Sequence, residues 1–85
     1  MDVVEIEKII NDALTLDDLH VKFDGSQCKV IAVADFFADL SRVKKQQAIT
    51  GPLTEVINSG VIHAITVKTF TTEEWQREKM FNLPL

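Results

Sequence analysis

Four side chains in this 85-residue sequence could bind a metal or take up a proton near neutrality or move one: His20, His63, the single Cys28 and the hydroxyl of Ser26. Imidazole is the common neutral metal ligand and titrates in the physiological range, while a thiolate binds soft metals and iron-sulfur clusters. His63 stands out because it opens the apolar run Val61 to Val67, which leads directly into Thr71, Thr72, Glu73, Glu74 and Trp75. Placed at the mouth of a strand, its ring can be reached by solvent. Cys28 begins a second apolar run, Cys28 to Ala34, and Lys29 beside it favours the thiolate. The alternative for Cys28 is plain packing as a small apolar side chain. His20 alternates with apolar neighbours, which predicts an exposed histidine without a special role. Asp17, Asp18 and Asp24 are too scattered for a catalytic carboxylate pair, and Ser26 has no adjacent base, so the sequence does not predict an enzyme.

Composition narrows the setting. One small domain spanning 1–85 is expected, burying about 60–65% of its unfolded surface, which favours a site at the surface over a deep cleft. A lone cysteine excludes an internal disulfide and points to a reducing compartment, the cytoplasm. The N-terminus is acidic where a secretory signal needs base, and no apolar run approaches the roughly 20 residues of a membrane span. Net charge is −4 but unevenly spread. Residues 1–20 carry six acids against Lys8, whereas in residues 42–60 Arg42, Lys44 and Lys45 face only Glu55. That basic stretch is a candidate docking patch for an anionic partner, or a solvated helix face.

The elements that must position these groups follow from periodicity and capping. Asp2 with Glu5 caps a first helix whose stripe Val3, Ile6, Ile10, Ala13 and Leu14 predicts an end near Leu16. Leu19, Val21 and Phe23 then alternate with polar residues as a strand, and Asp24-Gly25 turns the chain into the second strand. Ser41 caps a helix over Arg42 to Ile49. Thr50-Gly51-Pro52 leaves either two helices or one kinked helix before Asn58-Ser59-Gly60. The third strand runs to Phe70, and Thr71 or Thr72, with Glu74, caps a last helix that turns Trp75 back toward the sheet and closes at Asn82-Leu83-Pro84. The expected fold is α+β in the order αββααβα, a three-stranded mixed sheet with helices on one face. A hairpin followed by a helical crossover makes the second and third strands parallel neighbours. Their starts then share one end of the sheet, so that His63 meets the hairpin near Gln27 and Cys28.

The ordered blocks Asp24-Gly25-Ser26, Val30-Ile31-Ala32-Val33, Ser41 to Gln47, Gly51-Pro52-Leu53, Ile62-His63-Ala64 and Glu74-Trp75 cover almost the whole chain. Together they resemble the BolA family, in its short bacterial IbaG-like type. The resemblance implies a class II KH-like fold. It also implies a monothiol glutaredoxin as heterodimer partner, with a [2Fe-2S] cluster shared between the two for iron-sulfur trafficking or for iron and stress sensing. In such pairs the glutaredoxin brings its cysteine and a bound glutathione. The BolA protein brings a histidine matching His63 and a second residue from the hairpin loop. No cofactor is expected in the isolated chain. Here the family's Gly-Ser-His loop reads Gly25-Ser26-Gln27, and Cys28 stands where phenylalanine is usual. Thiolate being a good iron ligand and glutamine a poor one, Cys28 is the substitute candidate. The rival expectation is a KH-like nucleic-acid-binding transcriptional regulator using Arg42, Lys44 and Lys45. No GXXG loop is present, and three basic residues give few phosphate contacts. A metal-free interaction module using the same patch and the end Asn82 to Leu85, and a weak homodimer, complete the alternatives.

Overall fold

The computed structural model describes residues 1–82. The elements run α1 (Val3–Ala13), β1 (Asp18–Phe23), β2 (Gln27–Val33), a short 3-10 turn (Asp35–Asp39), α2 (Arg42–Thr50), α3 (Thr54–Asn58), β3 (Ala64–Phe70) and α4 (Thr72–Asn82). The sheet order is β1-β2-β3, antiparallel between β1 and β2 and parallel between β2 and β3, as the hairpin and crossover require. The α+β order αββααβα is therefore the one expected. The helix end assigned to Leu83 and Pro84, and the docking role given to the tail through Leu85, lie outside the described residues.

Three local expectations are corrected. Helix α1 stops at Ala13, not near Leu16, because Leu14 is extended and only its N–H still reaches the Ile10 carbonyl. Leu14 and Leu16 pack on the core from this extended link, so their spacing belongs to a period of two. β3 begins at Ala64, one residue past His63 and not at it, because its partner β2 begins only at Gln27, after the turn. Helices on one face describes α1 to α3, which meet Cys28, Val30 and Ala32 of β2. Helix α4 instead sets Trp75 on the opposite face, against Ile31, Val33 and Phe70. That double cover explains why β2 is apolar on both parities.

The break at Pro52 resolves into two helices. Gly51 keeps a right-handed helical backbone directly before proline, a conformation that a Cβ would crowd, and an added Cβ would stand 2.8 Å from the Gln47 carbonyl oxygen. Leu53 behind it is fully buried. Gly51→Ala is expected to destabilise by about 1 kcal/mol or more, lowering the melting temperature by roughly 4–8 °C in a thermal scan. An unchanged midpoint would show that the turn relaxes freely.

Helix α4 starts on a reciprocal cap: Glu74 Oε1 accepts from the Thr71 N–H at 2.8 Å, and Thr71 Oγ1 accepts from the Glu74 N–H at 3.2 Å. Asp35 joins it to the end of β2, accepting from the Thr72 N–H at 3.0 Å and its hydroxyl at 2.8 Å. These bonds hold the carboxyls of Glu74 and Asp35 below the ordinary carboxylate range, as the backbone N–H groups of Gln27 and Ser26 do for Asp24. Carboxyls lowered on folding contribute stability above their unfolded values and lose it as pH falls through the folded ones. The melting temperature should therefore hold level from neutrality to about pH 5 and fall below about pH 4. A profile that stays flat to about pH 2 would contradict this role for the three bonds.

Candidate functional site

The turn between β1 and β2 fixes one rim of the sheet. Asp24 Oδ1 accepts from the N–H groups of Ser26 at 3.0 Å and Gln27 at 2.7 Å, and the Asp24 N–H reaches the Gln27 carbonyl at 3.2 Å. Gly25, at φ +96°, supplies the left-handed residue at the first central position of the two-residue loop. The turn thereby aims the Ser26 carbonyl at the incoming third strand, where it accepts from the His63 N–H at 2.8 Å. Ile62, fully buried, pins the chain on one side of His63, and the β2-β3 ladder begins on the other with Gln27 opposite Ala64. The His63 backbone is thus held at three points while its side chain stands exposed. A ring so placed can meet a metal carried by another molecule with little reorganisation.

Cys28 is close in sequence but turned away. Its side chain is 1% exposed, sits in the core beside Val30 and Ala32, and burial raises its thiol pKa above the usual range. It fills the core where the resemblance places a phenylalanine. Gln27, on the opposite parity, is exposed on the outer face of the sheet. Among the described residues no three histidine, cysteine or carboxylate side chains gather as a metal site. The rim therefore offers one accessible imidazole.

His20 is corrected from an exposed residue to a half-buried one. Its Nε2 lies 3.0 Å from Asp18 Oδ2 and its ring centroid 5.3 Å from that of Trp75. It pairs with Ile31, four residues along β2 from Gln27, so it lies about 13 Å along the strand from the His63 rim. The basic residues are remote as well. Arg42 and Lys44 are exposed on the first turn of α2, and Lys45, half-buried, acts on Glu74 beyond the far end of β3. Cations at a helix N-terminus oppose its dipole, and helix stability does not account for them there.

A three-stranded mixed sheet in the order αββααβα, with an exposed histidine tied to its first turn, defines the class to which this protein belongs. The chain is a member of the BolA family: the BolA-like protein family matches residues 8–74. It is similar to the acid stress protein IbaG of Escherichia coli, 46% identical over 92% of this chain and 93% of that protein. It is also 33% identical to the DNA-binding transcriptional regulator BolA of Vibrio cholerae, over 86% of this chain and 66% of that one. The solved structure of BolA1 from Mus musculus shares the fold with a TM-score of 0.78 at 17% identity, over 89% of this chain and 69% of that one. No helix among the described residues is long and apolar enough to cross a membrane.

Proposed function

We propose that this chain lends His63 to a [2Fe-2S] cluster shared with a monothiol glutaredoxin and its bound glutathione, and works in the cytoplasm in iron-sulfur trafficking or iron and stress sensing, with no substrate turnover. The single observation carrying this reading is the His63 rim: an exposed imidazole on an immobilised backbone, outside any group of three metal-binding side chains among the described residues. Such a site is incomplete until another molecule supplies thiolates, which is the division of ligands the reading requires. Imidazole in place of thiolate removes negative charge from a cluster and raises its potential. In this reading Cys28 serves packing, because its thiol is sealed in the core and burial disfavours the thiolate. The mixed pair is expected to form without metal as well, the rim being preformed.

The test is to reconstitute the cluster on a monothiol glutaredoxin with glutathione, iron and sulfide, then to add this chain and follow visible absorption and circular dichroism. New bands saturating at one chain per cluster are expected. Spectra that do not respond to the chain would overturn the proposal. The nucleic-acid reading has one observation in its favour, the name carried by the Vibrio cholerae relative. It has less support from this chain's own residues, since Lys45 is half-buried and only Arg42 and Lys44 of the basic stretch are exposed.

A further inference from the structure

Strand β3 is an edge of the sheet, with β2 on one side and no strand of this chain's sheet on the other. Its two ends fix the direction of its backbone groups. The Ala64 N–H donates to the Ser26 carbonyl at 3.4 Å, and the Phe70 carbonyl accepts from the Ala34 N–H at 2.9 Å, both on the β2 side. Backbone groups alternate sides along a strand, so those of Ile65, Val67 and Thr69 point away from β2. Among the described residues none of these outward groups meets a backbone partner. The described part of α4 leads away from this edge, from Thr72, bonded to Asp35 after β2, to Lys79, which lines a depression with Asp17 and Asp18 at the start of β1. Sheet edges are commonly protected by charge, as on β1, where Asp18, His20 and Lys22 make three ionisable side chains in six residues. β3 has one charged residue in seven, Lys68, and four β-branched ones, Ile65, Thr66, Val67 and Thr69.

We propose that this edge pairs with the same edge of a second copy of the chain, antiparallel and two-fold symmetric about Val67, joining the two sheets into one. An isologous contact requires an edge that complements itself, and centring on Val67 meets that requirement. Val67 then stands opposite its own copy and Ile65 opposite Thr69 of the second copy, so all three outward residues become hydrogen-bonded pairs. On the outer face Lys68 falls opposite Thr66 of the second copy, whose hydroxyl can accept from the ammonium. A centre shifted by one residue, to Lys68, sets the two lysines against each other, a repulsion that disfavours the slipped register. The pairs on the other face are β-branched throughout, and there Ile65 and Val67 already pack on the core. A seven-residue edge buries little area, so the dimer is weak and forms only at high concentration. His63 and its copy fall at opposite ends of the paired strands, about 27 Å apart along the strand direction. The pairing therefore adds no ligand to the His63 rim and does not rest on the glutaredoxin reading.

Sedimentation equilibrium of the full chain from about 10 µM to about 1 mM, with amide hydrogen exchange at both ends of that range, tests the pairing. A reversible monomer to dimer equilibrium is expected. The Ile65, Val67 and Thr69 amides should exchange quickly in the dilute chain and gain protection in the concentrated one, while those of Thr66 and Lys68, directed at β2, stay unchanged. Thr66→Lys places like charges opposite Lys68 at two symmetric points and should weaken association about tenfold, whereas Thr66→Glu places opposite charges there and should tighten it. Thr66 is exposed but lies beside Lys29 of β2, so the melting temperature of the dilute chain is measured for both variants to confirm that each folds. A monomeric mass up to the highest concentration, protection of the three outward amides already complete in the dilute chain, protection gained only outside β3, or equal association of the two folded Thr66 variants would each overturn the proposal. These outcomes are the same whether or not a cluster is shared through His63.

Discussion

His63→Ala is expected to abolish the chain-dependent visible circular dichroism of the reconstituted pair while leaving the melting temperature of the free chain within about 1 °C, since its exposed side chain contributes little to folding. The backbone bond from residue 63 to Ser26 survives the substitution, so the rim keeps its shape and loses only the ring. Cys28→Ser separates the two candidate ligands. It should leave the cluster spectrum at wild type and lower the stability of the chain, because a hydroxyl replaces a small apolar group in the core. If Cys28→Ser altered the spectrum and His63→Ala did not, the ligand assignment would be reversed. A His63→Cys variant restores a donor of opposite character and should lower the reduction potential of the shared cluster, by on the order of 100 mV, as thiolate returns negative charge to the iron.

Trp75→Ala is expected to have the largest effect on folding. Trp75, 5% exposed, is the one buried side chain among the described residues of α4, and its ring meets Phe70 at a centroid distance of 5.4 Å and His20 at 5.3 Å. Truncating a buried tryptophan costs about 3–5 kcal/mol, a large part of the stability of a domain this small. The polar contacts at the start of α4, the Thr71-Glu74 cap and the Asp35-Thr72 pair, are exposed or only partly buried and cannot replace it. A fall in melting temperature well beyond about 10 °C is expected, with loss of amide protection concentrated in α4. A fall of less than about 4 °C would show that α4 is held by something other than its tryptophan. Trp75 is the only tryptophan of the chain, so its fluorescence reports the same docking in the intact protein.

What could be read from the residues, and what could not, divides along physical lines. The hairpin was legible because Asp24 and Gly25 each do one local task, a side-chain cap of the turn and a positive φ. The last helix was legible for the same reason, its Thr71 and Glu74 cap being local. The end of α1 was not, since Leu14 and Leu16 suit a helix or an extended link equally well, and tertiary packing chooses. The side taken by Cys28 was hidden because β2 is apolar on both parities, and only the placement of Trp75 beneath α4 reveals that both faces are covered. His20 was misread as exposed because its partners, Asp18 along the strand and Trp75 from the last helix, depend on the fold being closed.

The central claim is that the His63 ring bonds directly to iron in a centre completed by another molecule's thiols. Pulsed electron paramagnetic resonance of the reduced, reconstituted pair, with this chain alone carrying ¹⁵N-labelled histidine, tests it most directly. One strongly coupled ¹⁵N nucleus is expected, present in His20→Ala and absent in His63→Ala. A spectrum without strongly coupled ¹⁵N, or one in which the coupling survives in His63→Ala, would contradict the account.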